Sequence, residues 1–446
     1  MKFIIIGGDA AGMSAASRAK RHQPDMDVIV LEKTGDVSYS ACGMPYAIGD
    51  PEREMDGLIV RPADVFRKKQ GIDLRTGHTV TAIDPENRTI SGQTAAREPF
   101  SLEYDKLLIA TGASATVPDL PGTDLPGVMV LKTLAEGRAI KDFIREKPVR
   151  KVVIIGMGYI ALEMCEALRG LDIAVTMVKP RPAFLPWMHP DLAGVVRAEV
   201  EKNDVTVLAG HNIQRIEQNQ DGLTVVCDDT RLPADMVLVA VGVTPNSHIA
   251  ETAGIALSVG QSIAVDHKLR TSAPDIFSAG DCADAYDVVT GQKTWVPLAL
   301  RANRAGWAVA DNVCGKNMAL PGIAGTAVFK IFDLEVARTG LNLKAAVDAG
   351  LDPAEVVIKT RSRAHDHPGS STIFVHMVGD KSSGKLLGVQ MVGKDGVAHR
   401  INAPAVALHA KMTVDIFSQS DLAYAPPFGP TWDPILTGAN QLLKKL

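Results

Sequence analysis

An α/β fold, with two doubly wound parallel-sheet units followed by a mixed α+β segment, is predicted by three features of this sequence. A short apolar strand at the amino terminus runs through a glycine turn into an alanine-rich helix, and the same unit returns after residue 150; beyond residue 326, strands and a helix mix without it. At 446 residues the chain exceeds what one hydrophobic core supports, so two or three domains are expected. The composition, 46% hydrophobic and 22% charged, is that of an ordinary globular protein, and a formal net charge of −4 gives no basis for binding nucleic acid or an anionic membrane. No run approaches the roughly 18 apolar residues of a membrane helix. The opening apolar run stops at Gly7 and reads as a strand rather than a leader. Five scattered cysteines make no disulfide framework, so a reducing, cytoplasmic setting is expected.

The first unit begins with the β-branched and aromatic strand Phe3 to Ile6, turns through Gly7-Gly8-Asp9-Ala10-Ala11-Gly12, and continues as a helix over Met13 to Arg21. A second strand, Asp27 to Leu31, ends at Glu32 and Lys33. Glycine lets the backbone turn sharply toward a pyrophosphate, the helix start offers N–H groups to its charge, and a carboxylate at this spacing accepts from ribose hydroxyls. Asp9 stands where the middle glycine is usual. The second unit runs from the strand Lys151 to Ile155 through Gly156-Met157-Gly158-Tyr159-Ile160-Ala161 into the helix Leu162 to Leu168. Its next strand, Ile173 to Val178, ends at Lys179, with Arg181 two residues on. Two such dinucleotide-binding (Rossmann-like) units predict two dinucleotides, FAD on the first and NADPH or NADH on the second. Lys179 and Arg181 offer positive charge where a 2′-phosphate would sit, which favours NADPH or tolerance of both.

Ser38-Tyr39-Ser40-Ala41-Cys42-Gly43-Met44-Pro45-Tyr46 contains one cysteine, and the residue five positions on is Ala47. A redox role for Cys42 therefore needs a second sulfur from elsewhere. Tyr39 to Ala47 suit a helix start, where the dipole favours a thiolate, so a lowered thiol pKa is expected. Cys165, Cys227 and Cys314 lie in helix or strand patterns and read as packing, as does Cys282 in the loop after Asp281. His365-Asp366-His367 supplies ligand types, but adjacent residues do not easily converge on one ion and no zinc motif accompanies them, so no metal is expected.

Three further stretches end strands in glycine turns: Leu107 to Gly112 with Thr111, Val241 to Asn246 with Gly242, and Ile276 to Asp281 with Gly280. In order and spacing, across essentially the whole chain, these motifs resemble the pyridine nucleotide-disulfide oxidoreductases. The lone Cys42 points to the single-cysteine branch of that family, and Cys-Gly-Met-Pro-Tyr looks most like its coenzyme A-disulfide and NAD(P)H-dependent persulfide reductases. Ala10 stands where the peroxidases and oxidases of the branch carry a histidine. Ala423-Tyr424-Ala425-Pro426-Pro427-Phe428 matches the coenzyme A-linked group, in which the tyrosine reaches the neighbouring subunit's cysteine. His367 before Pro368-Gly369, and Trp432, depart from the residues usual there.

The resemblance implies an FAD-binding domain made of residues 1–113 and 245–320, an NAD(P)H-binding domain at 114–244, and a C-terminal dimerisation domain at 321–446. It implies a homodimer whose partner completes each active site through Tyr424 and Phe428. Cys42 is expected to form a mixed disulfide with coenzyme A or a related small disulfide or persulfide. Tyr159 would cover the flavin and Glu163 would contact the cofactor or a flavin-side lysine. Arg18, Arg21, Ser38, Arg61 and His367 are expected near the substrate. The alternatives are an NAD(P)H oxidase or peroxidase using a Cys42 sulfenate, and a non-enzymatic redox-sensing flavoprotein.

Overall fold

The computed structural model describes residues 1–220 and 222–446. In the first unit the strand Lys2–Ile6 pairs in parallel with Asp27–Glu32 on one side and Lys106–Ile109 on the other, aligning Phe3 with Val28 and Lys106. Asp73–Thr76 and Ile276–Ser278 complete the two edges of this five-stranded sheet. Phe3, Ile4 and Ile5 have no exposed surface. That is why the strand is continuously apolar rather than alternating: helices cover a parallel sheet on its faces. Residues from both sides of the middle of the chain thus share one sheet.

The second unit repeats the arrangement in one contiguous stretch, with strand order 205–209, 174–179, 151–155, 236–239, 128–130. Each unit carries a three-stranded antiparallel meander, residues 78–103 in the first and 213–234 in the second. The two chain crossings between the units pair with each other, Ala113–Ala115 against Val243–Pro245. The third sheet is antiparallel, with order 327–331, 334–340, 386–393, 372–380, 353–361, and is packed by the helices Asn402–His409 and Pro434–Leu442. The expected α/β class with a C-terminal α+β domain is the observed architecture. No helix among the described residues is long and apolar enough to cross a membrane.

The helix expected over Met13 to Arg21 spans Ala10–His22, so it begins inside the glycine turn. Cys314 is not on a helix but just past the end of one, Ala299–Val313.

Candidate functional site

Both glycine turns are shaped by close approach. Gly7 has φ +111°, and a Cβ there would lie 2.1 Å from the Ala110 carbonyl oxygen; at Gly156, φ is +123° and the same atom would lie 2.2 Å from that of Ala240. Glycine is required at both, because side chains rarely adopt such φ and no space exists for them. Each turn opens onto a helix start, Ala10–His22 and Tyr159–Arg169, that no side chain caps. An uncapped helix start in a glycine turn is suited to a pyrophosphate, so the residues present fit dinucleotides.

Glu32 closes the first turn. Its Oε2 accepts from the Gly8 N–H at 2.8 Å, and its Oε1 accepts from the backbone and hydroxyl of Thr34, both at 2.8 Å. Lys33 beside it is exposed. Thr111 donates its hydroxyl to the Asn246 carbonyl at 2.6 Å, and Gly112 turns with φ +68°, knitting the crossing beneath the site. Gly12 packs so tightly over Gly7 that a Cβ would meet its carbonyl oxygen at 1.9 Å. Asp9, in place of the usual glycine, accepts from the Tyr39 N–H at 3.3 Å, and burial pushes its carboxyl up to about 6.

At the second turn, Lys179 ends its strand and donates to the Phe184 carbonyl at 3.0 Å; burial, then Arg181, holds it below its ordinary value. Arg181 and Gly242 are exposed. Tyr159 packs its ring on Trp187 and edge-on to Phe329, at 5.4 and 5.1 Å between centroids. Glu163, one turn further, accepts from the Tyr46 hydroxyl at 3.0 Å. That bond brings the second unit's helix to the segment carrying Cys42.

Cys42 lies in a single 3-10 turn, Ala41–Gly43, that leads into the helix Met44–Ile48, and its side chain is exposed. Its thiol sits above its ordinary pKa, opposite to the lowered value expected from a helix start. Burial is the largest cause, Glu163 adds to it, and Lys132 opposes both. A five-residue helix carries too little dipole to reverse this. The counter-charge is Lys132, whose Nζ pairs with Asp281 at 2.8 Å in the loop after Gly280. Sequence reasoning missed Lys132 because it follows a three-residue strand and belongs to no motif; the capping box of Thr133 and Glu136 behind it was the available signal. The other four cysteines are free, three buried and Cys314 half-buried.

Of the residues assigned to substrate, Ser38 and Arg61 are joined by a backbone hydrogen bond. Arg18 is held by Asp311 through two bonds of 2.9 and 2.8 Å, with its guanidinium over Trp307. Arg21 is free of such pairing and exposed. Arg61 lies over the Phe66 ring, and its backbone N–H donates to the Ser38 carbonyl, where Ser38 adopts φ +48°. His367 bonds the Pro368 carbonyl through Nδ1 at 2.9 Å. Tyr424 and Phe428 stand out from the C-terminal domain, 50% and 79% exposed.

Among the described residues, one group gathers metal-type donors: His189, Glu355 and His376. These side chains bond one another and the backbone. His376 Nε2 meets Glu355 Oε2 at 2.7 Å, and His189 Nδ1 accepts from the Asp191 N–H, which leaves the ring proton of neutral His189 on the nitrogen that would face a metal.

The pyridine nucleotide-disulphide oxidoreductase pattern matches residues 1–306, and that family's dimerisation domain matches residues 326–434. A Pyrococcus horikoshii protein named NAD(P)H coenzyme A polysulfide/persulfide reductase is 37% identical over 444 residues, covering 99% of this chain and 98% of that one. A Methanocaldococcus jannaschii protein named NADH oxidase is 35% identical over 453 residues, covering 100% and 99%. The structure of an NAD-dependent persulfide reductase from A. fulgidus superposes with a TM-score of 0.96 at 36% identity, covering 100% of this chain and 83% of that one. Two dinucleotide turns, a cysteine between them and matches along the whole chain lead to one conclusion: this chain belongs to the pyridine nucleotide-disulphide oxidoreductases and is an FAD-dependent NAD(P)H oxidoreductase.

Proposed function

We propose that the protein reduces coenzyme A disulfide, or a related low-molecular-weight disulfide or persulfide, with Cys42 as its single redox thiol. The observation that carries this reading is the place of Cys42. It is exposed where Asp281 of the flavin side and Lys132 and Glu163 of the nicotinamide side all act on its charge, and no other cysteine among the described residues is exposed. The printed names of the Pyrococcus and A. fulgidus relatives support the substrate class.

FAD would be held by Gly7, Gly12, Glu32 and Lys33, with Thr111, Gly112, Gly280 and Asp281 closing around it, and when bound it supplies a two-electron relay between nicotinamide and sulfur. Gly156, Gly158 and Gly242 cradle the nicotinamide dinucleotide, with Lys179 and Arg181 taking a 2′-phosphate. Tyr159 stands at the start of the helix that receives it. In the thiol half of the cycle the Cys42 thiolate attacks one substrate sulfur. A bond forms between Cys42 and that sulfur as the substrate S–S bond breaks, and one thiolate leaves. Tyr424 of the partner subunit gives that thiolate its proton. Two electrons from NAD(P)H and two protons then cleave the mixed disulfide to Cys42 thiolate and a second thiol and restore the Tyr424 hydroxyl. Lys132 holds the negative charge on Cys42 against Glu163 and Asp281. The dimerisation domain match supports a homodimer, with Phe428 and His367 closing on the neighbour's site. Arg21 and Arg61 offer free positive charge to the phosphates of coenzyme A, while Arg18 shares its charge with Asp311.

The Methanocaldococcus relative supports a second reading, oxygen or peroxide reduction through a Cys42 sulfenate. Anaerobic turnover with NADPH against coenzyme A disulfide, polysulfide and peroxide separates the two. Disulfide or polysulfide turnover is expected, with Cys42→Ser losing at least about a hundredfold in kcat. A Cys42→Ser enzyme that keeps this turnover, or turnover confined to peroxide, overturns the reading.

A further inference from the structure

The segment that carries Cys42 is gripped by one face of a helix from a distant part of the chain. Arg138, Lys141 and Arg145 on the helix Leu134–Glu146 are spaced three and four residues apart and so point the same way. Arg138 donates to Asp56 Oδ1 at 2.8 Å and forks onto both oxygens of Asp36 at 2.7 and 2.8 Å. Arg145 donates to Glu54 Oε1 at 2.7 Å. Between them Lys141 is 3% exposed, and its ammonium donates to the carbonyls of Ala47 at 2.7 Å, Asp50 at 2.6 Å and Arg53.

Three N–H donors meet three carbonyls, so the buried charge is fully satisfied by backbone alone. Ala47 belongs to the last turn of the helix Met44–Ile48, whose terminal carbonyls have no partners within the helix. Gly137, on the same gripping helix, comes so close that an added Cβ would lie 2.6 Å from Met55 Cε and 3.1 Å from Met44 Sδ. At the helix start, the Lys132 and Thr133 N–H groups both donate to Glu136, at 2.8 and 2.7 Å. One helix therefore fixes both Lys132, the cation that acts on Cys42, and the far end of the short helix that follows the turn carrying its sulfur.

We propose that Lys141 is a positioning residue for Cys42: its buried ammonium ties off the carbonyl end of the Met44–Ile48 helix and sets where the thiol stands. This rests on the thiol chemistry assigned to Cys42 above. Without the ammonium three carbonyls lose their donor and the 47–53 loop is released. A displacement of about 1 Å at a reacting atom costs on the order of a hundredfold in rate.

The test uses FAD-loaded Lys141→Met and Lys141→Arg, with three readouts: rapid reduction of bound FAD by NADPH, steady-state disulfide reduction, and the pH profile of iodoacetamide alkylation at Cys42. In Lys141→Met, FAD reduction and the KM for disulfide stay within about twofold, kcat falls by about ten- to a hundredfold, and the alkylation profile moves. Lys141→Arg keeps the cation and recovers most of kcat. If Lys141→Met does not fold, Gly137→Ala decides: its Cβ crowds the Met55 and Met44 side chains with the carbonyl cage intact, and it is expected to move the same profile and lower kcat. An unchanged profile and kcat overturns the proposal, as does a loss of FAD reduction in step with kcat, which is what a merely structural lysine produces. Disulfide turnover retained by Cys42→Ser overturns the underlying thiol reading instead.

Discussion

Asp9→Asn tests the electrostatics of the first glycine turn. Burial moves the Asp9 carboxyl from 3.8 to about 6 in the folded protein, which corresponds to roughly 3 kcal/mol of preference for the neutral form. Between those two values the folded chain binds more protons than the unfolded one. Stability therefore falls as pH rises through this window, and the contribution is fully lost above about pH 7. Asparagine keeps an acceptor for the Tyr39 N–H and carries no charge at any pH. The substituted protein is expected to be more stable than the original at pH 8, by up to roughly 3 kcal/mol, with the advantage shrinking by roughly 1–1.5 kcal/mol at pH 5. Urea unfolding at fixed excess FAD, followed by flavin release, measures both. Asp9 is also among the carboxylates that raise Cys42, so the alkylation midpoint of Cys42 is expected to fall in the same protein. An advantage that is absent, or that does not change between pH 8 and pH 5, refutes the reasoning.

Gly7→Ala places a Cβ against the Ala110 carbonyl oxygen at a φ that alanine rarely adopts, and the purified protein is expected to carry less than about a tenth of its FAD, read from the flavin-to-protein absorbance ratio. Lys179→Glu removes the charge expected to meet a 2′-phosphate. The ratio of kcat/KM for NADPH to that for NADH is expected to fall at least about tenfold, and an unchanged ratio removes Lys179 from cofactor selection.

What was legible in the sequence is what needs a particular residue type at a particular turn. Gly7 and Gly156 could be read because no other residue tolerates those φ values beside a carbonyl, and Glu32 because the strand end must meet the turn across the sheet. Cys42 stood out for chemical reasons, being a thiol without a neighbour. What was not legible depends on contacts between distant segments. Lys132 becomes the counter-charge of Cys42 only because Asp281, 149 positions away, meets it. Lys141 looks like a surface cation on an amphipathic helix until the fold wraps three carbonyls around it. His189, Glu355 and His376 come from three separate elements and share no motif. The direction of the Cys42 pKa was misjudged because the helix after it is a single short turn and burial outweighs its dipole.

Intact-mass and peptide mass spectrometry of the protein, oxidised anaerobically with one equivalent of coenzyme A disulfide, tests the mixed disulfide directly. One coenzyme A attached at Cys42, released as one thiol by one equivalent of NADPH, is the expected result. Attachment at another cysteine, or a Cys42 that carries only an added oxygen or nothing at all, contradicts the account.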